Sequence, residues 1–155
     1  MIKKIISGGQ SGADIAGIDA AMANNFPYGG WITKGRRTED GPLPEKYQLQ
    51  EMSTTGYPKR TEQNVIDSDG TVIFVHGRLS GGSDLTRILA EKHGKPWLHL
   101  NMKEHSVNEA VERLRDWSKE YGIEILNVAG RSASKDPDIY VVAYKVISGL
   151  LRNGG

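Results

Sequence analysis

The chain has 155 residues, enough for one domain with a proper core, and we predict a single domain over residues 1–155. Its 20 basic and 19 acidic residues give a net charge of +1, which disfavours nucleic acid as the main partner. The absence of cysteine excludes disulfides, thiolate metal sites and a cysteine nucleophile. No apolar run approaches the roughly 18 residues of a membrane span. No signal-peptide core follows the first lysines either, so we expect a cytoplasmic protein that binds no membrane.

A glycine-rich segment separates the first apolar run, Ile2–Ile6, from residues 15–22, whose apolar positions repeat at helical spacing. Such a turn between a strand and a helix gathers backbone N–H groups at the positive end of the helix, which suits a phosphate. The alternative is a plain turn in which glycine only permits positive φ. Asp14 would either face the ligand or merely favour the helix end. The candidate ligand residues of this segment are Gly8, Gly9, Gln10, Ser11, Gly12 and Asp14.

The segment Thr33–Pro44 follows a second extended run, is polar, and is interrupted by glycine and proline, so we predict a long loop. A loop of this length in a compact domain is usually functional or disordered. On charge alone it is a solvated loop. Beside the first glycine segment, however, its basic side chains would neutralise a phosphate. Its candidate ligand residues are Lys34, Gly35, Arg36 and Arg37.

The clearest strand is Thr71–Val75, because its β-branched and aromatic residues are typical of a parallel strand buried on both faces. A second glycine-rich turn follows it and leads into a helix that is predicted to end near His93. The predicted inward residues of that helix are Leu85, Ile88 and Leu89. The candidate ligand residues of the turn are Gly81, Gly82, Ser83 and Thr86.

Three further segments complete the pattern. Residues 60–68 are weakly helical, with Thr61 as the predicted start. Ser106 and Glu109 form a capping box that predicts a helix. Its predicted inner face is Val107, Ala110, Val111, Leu114, Trp117 and Tyr121. A strand over residues 123–128 precedes a last helix lined by Ile139, Val142, Val146 and Leu150. The small-residue loop between them supplies the candidate ligand residues Asn127, Gly130 and Ser132.

Strands and helices alternate along the chain, which predicts an α/β fold with a mostly parallel sheet and helices on both faces. In such folds ligands lie beyond the carboxyl ends of the strands. All three small-residue loops follow predicted strands, so they fall on one rim. This convergence predicts a ligand site there.

The sequence offers little support for metal or triad chemistry. Four histidines occur without metal-ligand spacing, and we predict no metal site. No Gly-x-Ser-x-Gly elbow is present, which disfavours a triad hydrolase. His76 would contact the ligand or act only as a spacer. A carboxylate beside the phosphate loops, Asp14 or Asp84, would also be able to activate water at a sugar carbon, so an enzyme is the alternative to a binding protein.

With these motifs assembled, the chain resembles the molybdenum cofactor carrier family, also described as circularly permuted YpsA-type SLOG proteins, over nearly its whole length. The segments that carry the resemblance are Ser7–Asp14, Gly29–Trp31, Lys34–Arg37, Glu39–Pro42, Arg60–Val65, Asp67–Thr71, Gly81–Ser83, Gly94–Pro96 and Asn127–Arg131.

The resemblance implies a Rossmann-like three-layer sandwich that binds nucleotide-derived ligands. It also implies a carrier of the molybdenum cofactor (molybdopterin), a pyranopterin with a terminal phosphate, that works as a homo-oligomer and passes its cargo to molybdoenzymes. Some branches of the superfamily instead cleave nucleoside monophosphates at the N-glycosidic bond. Those hydrolases carry a Pro-Gly-Gly-x-Gly-Thr loop. Residues 80–86 of this chain lack its third glycine, which disfavours that activity. A nucleotide-derived ligand sensor is the third hypothesis.

Overall fold

The computed structural model describes residues 1–152, so positions 153–155 of the predicted domain lie outside the described residues. Strands and helices alternate along them as predicted, except between the first two helices, where five short strands follow one another. The strands are β1 (Lys4–Ser7), β2 (Tyr28–Gly29), β3 (Trp31–Ile32), β4 (Arg37–Thr38), β5 (Gly41–Pro42), β6 (Gln50–Glu51), β7 (Gly70–Val75), β8 (Trp97–Asn101) and β9 (Ile125–Gly130). The helices are α1 (Ala13–Ala23), α2 (Tyr57–Asp67), α3 (Gly81–Lys92), α4 (Val107–Glu120) and α5 (Ile139–Arg152).

A five-stranded parallel sheet forms the centre, in the order β2-β1-β9-β7-β8. The last strand of the chain, β9, therefore lies in the middle, with β1 on one side and β7 on the other. Because all five strands run in one direction, their carboxyl ends meet at one edge. The prediction of a parallel α/β sandwich is confirmed.

The helices cover both faces of this sheet. On one face Val72 and Phe74 of β7 and Leu126 and Val128 of β9 share a core with α1, α4 and α5. Successive residues of a strand point to opposite faces, so Asn127 faces the other way, towards α2 and α3. Those two helices pack on each other through a small cluster of their own.

The long loop after β3 folds against α1 rather than extending into solvent. Its Leu43, Tyr47 and Leu49 are buried with Ile18 of α1 and Ile32 of β3. Within the loop β4 and β5 pair as a short antiparallel hairpin. The β6 segment pairs with β3 in parallel. The loop is thus an ordered part of the fold with an apolar base.

Several local predictions are confirmed. The capping box of α4 is present: the Glu109 N–H donates to Ser106 Oγ at 3.1 Å and the Ser106 N–H donates to Glu109 Oε1 at 2.8 Å. The end of α3 is also as predicted, since His93 is its C-cap residue.

Three local predictions are wrong. Ile88 is 47% exposed, because the face of α3 that packs on the protein carries Leu89 and Ala90 instead. Tyr121 is 52% exposed because it is the C-cap residue where α4 ends. The start of α2 lies at Tyr57 rather than at Thr61. Pro58 occupies the first turn of α2, where its missing N–H costs no helical hydrogen bond.

Candidate functional site

A cavity of about 300 Å³ opens at the carboxyl edge of the sheet, between the face that carries Asn127 and helices α2 and α3. Its floor is β9, and its walls come from the loop after β1, the first turns of α2 and α3, and the loop after β9. We call this cavity the cleft. Nine of the sequence-predicted ligand residues line it, namely Gly8, Gln10, Asp14, Gly82, Ser83, Thr86, Asn127, Gly130 and Ser132.

Three helices begin around the cleft. Asp14 is in the first turn of α1, Tyr57 begins α2, and Gly82 and Ser83 are in the first turn of α3. The first N–H groups of a helix have no acceptor within it, and the helix dipole places partial positive charge there. Three such ends around one cavity favour an anion inside it.

The first turn of α3 is the most open of these ends. A Cβ atom added at Gly81 or Gly82 would meet nothing within 4 Å. The Ser83 hydroxyl accepts from the Ser80 N–H at 2.9 Å and donates to the Ser80 carbonyl at 2.7 Å, which shapes the turn. The backbone of Gly82 therefore lies uncovered at the cleft wall.

Two cationic side chains, Arg131 and Lys135, line the cleft in the loop that follows β9. Arg131 reaches the start of α3, where its Nη2 donates to Ser80 Oγ at 2.6 Å. Within residues 1–152 neither side chain forms an ion pair. Their charge is thus available to an anion at this wall.

Arg60 of α2 lies against the first glycine segment. Its Nη1 donates to the Gly8 carbonyl at 2.8 Å and to Asp14 Oδ2 at 3.2 Å. A Cβ atom at position 8 would collide with the Arg60 guanidinium, so glycine is required there for the arginine to enter. Gly8 thus serves a close side-chain approach, and it needs no unusual φ.

The carboxyl group of Asp14 and the guanidinium of Arg60 form a buried pair, with 12% and 9% of their side chains exposed. Burial raises the pKa of Asp14 from 3.8 to about 6, although the charge of Arg60 and the Gln10 N–H lower it. Within residues 1–152, the buried Nε atom of Arg60 has no hydrogen-bond partner. Strongly perturbed carboxyl groups in a cavity are typical of functional sites.

Glu39 connects three loops at the mouth of the cleft through hydrogen bonds. Its carboxylate accepts from the Ser11 hydroxyl, from the Ser134 N–H at 2.9 Å and from the Ser134 hydroxyl at 2.6 Å. Its own N–H donates to Gln10 Oε1 at 2.9 Å. Burial raises the pKa of Glu39, but the hydrogen bonds from Ser11 and Ser134 outweigh it, so the pKa lies below its ordinary value.

On the floor, Asn127 is only 2% exposed, and its Nδ2 donates to Thr71 Oγ1 at 3.1 Å. In the adjoining wall Thr86 Oγ1 donates to the Gly82 carbonyl at 3.0 Å. Both side chains are therefore held in place by the protein and would present a preformed surface.

Four predicted residues of the glycine loops do not line the cleft, namely Gly9, Ser11, Gly12 and Gly81. Gly9, at φ +74°, packs against Leu49, whose Cδ1 would lie 2.9 Å from an added Cβ. Gly12, at φ +86°, packs against the backbone of Arg131. Ser11 accepts from the Ala133 N–H at 3.2 Å and donates to Glu39. Gly9, Ser11 and Gly12 therefore bring neighbouring loops together.

The basic loop is also placed away from the cleft lining, since none of Lys34, Gly35, Arg36 and Arg37 contributes to it. The Arg36 guanidinium donates to the carbonyls of Leu43 at 3.1 Å, Pro44 at 2.8 Å and Tyr47 at 2.7 Å. Gly35 donates its N–H to Glu51 at 2.9 Å. Arg36 therefore holds its own loop in shape.

Sequence reasoning missed one wall of the cleft. Tyr57, Arg60, Thr61 and Asn64 line it at the spacing i, i+3, i+4 and i+7, which places them on one face of α2. This polar stripe was the available signal. Glu39, Arg131 and Lys135 also line the cleft without having been predicted as ligand residues, although Glu39 and Arg131 lie in segments that carry the family resemblance.

The remaining chemical candidates lie outside the cleft lining. His76 Nδ1 lies 2.7 Å from Asp136 Oδ2, and Asp84 pairs with Arg87 at 2.7 Å. Among residues 1–152 no group of histidine and carboxylate side chains is arranged to hold a metal ion. Within the same range, no helix combines the length and hydropathy needed to cross a membrane.

Comparisons with known proteins agree with this architecture. Among solved structures, the chain matches the crystal structure of a "Putative molybdenum carrier protein" from Syntrophus aciditrophicus SB at 50% identity and a TM-score of 0.95. The match covers 97% of this chain and 95% of the other. A search of curated proteins found no match. The sequence model of the circularly permutated YpsA SLOG family matches residues 5–151. The chain belongs to the circularly permutated YpsA SLOG family.

Proposed function

We propose that this protein is a carrier that binds the molybdenum cofactor in the cleft, through the phosphate and the pterin of that molecule. The observation that carries the proposal is that one cleft is lined by the open first turn of α3 and by the cations Arg131 and Lys135, which form no ion pair within residues 1–152. The name of the similar protein from Syntrophus aciditrophicus supports the identity of the cargo.

The phosphate would lie at the start of α3. Backbone N–H groups at a helix N-terminus bind phosphate oxygens, and they do so best where no side chain blocks the approach. Gly82 meets that requirement because the space beside its Cα is empty. Arg131 and Lys135 would supply charge-assisted hydrogen bonds that neutral N–H groups cannot.

The rest of the cleft suits a flat ring. Tyr57, Pro58 and Leu85 form an apolar wall, while Asp14 and Asn127 provide polar groups near the floor. A few placed polar groups in a mostly apolar pocket are typical of small-molecule sites. The chain has no cysteine, so it would hold the cofactor by its organic part and leave the metal without a protein thiolate.

The alternative is a nucleotide-processing enzyme that cleaves the N-glycosidic bond of nucleoside monophosphates. The raised pKa of Asp14 favours it, because a carboxyl group that titrates near neutrality is suited to proton transfer. Against it, Glu39 is the other carboxylate of the cleft, and its oxygens already accept hydrogen bonds from Ser11 and Ser134. Release of free base from a panel of nucleoside monophosphates would establish the enzyme.

We also propose that the carrier works in the cytoplasm as a homo-oligomer and delivers its cargo to molybdoenzymes. A ligand sensor would differ by changing its assembly when it binds. Sedimentation velocity with and without ligand separates the two: a carrier keeps one sedimentation coefficient, whereas a sensor shifts it.

The direct test of the carrier is mass spectrometry under native conditions of the protein purified from cells that make the cofactor. The proposal predicts a bound pterin with a terminal phosphate. Calorimetry with cofactor released from a molybdoenzyme should then show saturable binding. A protein that copurifies with nothing and gives no heat with the cofactor would contradict the proposal.

A further inference from the structure

The carboxylate of Asp14 is not fully used by the protein. Both donors that reach it, Arg60 Nη1 at 3.2 Å and the Gln10 N–H at 3.4 Å, bind the same oxygen, Oδ2. Within residues 1–152 the structure shows no donor to Oδ1. An ionised carboxylate has about four acceptor positions on its two oxygens, so this buried group has capacity left.

The pairing with Arg60 is also unlike a structural ion pair. Arginine and a carboxylate usually pair through two parallel hydrogen bonds. Here one nitrogen, Nη1, serves both Asp14 and the Gly8 carbonyl, while Nε is buried and has no partner in the described part of the chain. Arg60 therefore balances the charge of Asp14 and leaves Oδ1 without a donor among residues 1–152. Because Asp14 lines the cleft, the unused capacity faces a ligand.

We propose that Asp14 is a specificity-determining residue that binds two adjacent N–H donors on the ring of the ligand. This proposal rests on the proposed function and adds to it the residue that recognises the ring. A ring amide N–H beside an exocyclic amine presents such a pair, as in guanine-type and pterin-type rings. An adenine-type ring presents a ring nitrogen lone pair beside its amine, and that lone pair would face the carboxylate.

Two parts of the cleft lining then recognise two parts of one molecule. The start of α3, with Arg131 and Lys135, takes the phosphate, and Asp14 takes the donor edge of the ring. A site built around a charged acceptor rejects a ligand that lacks the matching donors, because the buried acceptor stays unpaired. Ring discrimination is therefore expected to be strong at this position.

Calorimetry with guanosine, inosine and adenosine 5′-monophosphates tests the inference, since all three carry the same phosphate. The guanine ring has both donors, the inosine ring lacks the exocyclic amine, and the adenine ring lacks the amide N–H. We expect affinity to fall in that order, by about tenfold at each step. A phosphorylated pterin, added in competition with the guanine nucleotide, identifies which ring source the site prefers.

The variant Asp14→Asn should flatten this order, and Asp40→Asn is its matched control. Asp40 is an exposed carboxylate in the neighbouring loop and does not line the cleft. If Asp14→Asn does not fold, the order of the three nucleotides on the native protein still decides. Equal affinity for all three, each weakened by Gly82→Ala, would overturn the ring assignment and leave the phosphate site standing. Saturable binding of the cofactor that Asp14→Asn leaves unchanged would likewise overturn only the ring assignment.

Discussion

The basic loop and the cleft each contain an arginine that binds backbone carbonyl groups, but the two arginines differ in what they leave unbound. Arg36 directs its guanidinium to three carbonyls of its own loop. Arg60 reaches from α2 to Gly8 and Asp14, which lie about fifty residues earlier in the chain, and its buried Nε has no hydrogen-bond partner among residues 1–152. Arg36 thus stabilises the basic loop, whereas Arg60 forms part of the cleft.

The largest effect is expected for Arg60→Ala. Removing Arg60 leaves the carboxyl group of Asp14 buried without its cation, and breaking a buried pair costs about 3 to 5 kcal/mol. Urea unfolding measures this loss. Arg87→Ala is the control, because Arg87 pairs with Asp84 and Glu91 at the surface, and its unfolding midpoint should stay near that of the native protein. Equal midpoints for the two variants would remove the distinction.

The next effect concerns the pH dependence of stability. The pKa of Asp14 rises from 3.8 to about 6 on folding, so Asp14 favours the folded state below about pH 4 and loses that contribution as the pH rises through about 6. Relative to Asp14→Asn, the native protein should therefore lose about 3 kcal/mol of unfolding free energy across this range. Unfolding curves of both proteins at a series of pH values measure the difference. If the unfolding free energies of the two proteins changed in parallel with pH, the raised pKa of Asp14 would be contradicted.

Arg36→Ala should destabilise the protein by about 2 kcal/mol, because three carbonyls lose a charged donor. Its affinity for phosphate-bearing ligands should stay close to that of the native protein, since Arg36 does not line the cleft. Calorimetry on the folded variant separates the two roles. A tenfold loss of affinity in Arg36→Ala would instead indicate that the basic loop takes part in ligand binding.

The smallest effect is expected for Glu39→Ala. Glu39 connects the loops around Gln10 and Ser134 at the mouth of the cleft, so its loss should raise the dissociation rate of a bound ligand by a few-fold. Stopped-flow release of a fluorescent ligand measures this rate. Glu45→Ala, an exposed carboxylate of the same loop, is the control. An unchanged rate in Glu39→Ala would show that the loops hold together without the carboxylate.

Much of the fold and part of the cleft could be predicted from the sequence. The sheet and most helices were predictable because their signals are local, as in the uninterrupted strand Gly70–Val75 and the capping box of Ser106 and Glu109. The glycine turns were placed on the correct rim because strand ends in a parallel sheet meet at one edge.

The wall of the cleft that α2 forms was not predictable in the same way. Arg60 and Asn64 are polar residues that the fold buries, and a sequence pattern assigns such residues to the surface. Asn64 is buried because its amide pairs with the backbone of Trp31 at 2.9 and 3.0 Å. Arg60 is buried because Gly8 leaves room for it. Both causes are contacts between distant segments.

Gly82→Ala tests most directly whether the start of α3 binds a phosphate through its exposed backbone. The new methyl group would meet no protein atom within 4 Å, and alanine favours the helix, so the fold should be as stable as before or more so. Gly56→Ala is the matched control, because its Cβ also has room and position 56 does not line the cleft. We predict that Gly82→Ala weakens the binding of the cofactor and of guanosine 5′-monophosphate by at least about tenfold, while Gly56→Ala leaves it unchanged. Native affinity in a folded Gly82→Ala protein would contradict the account.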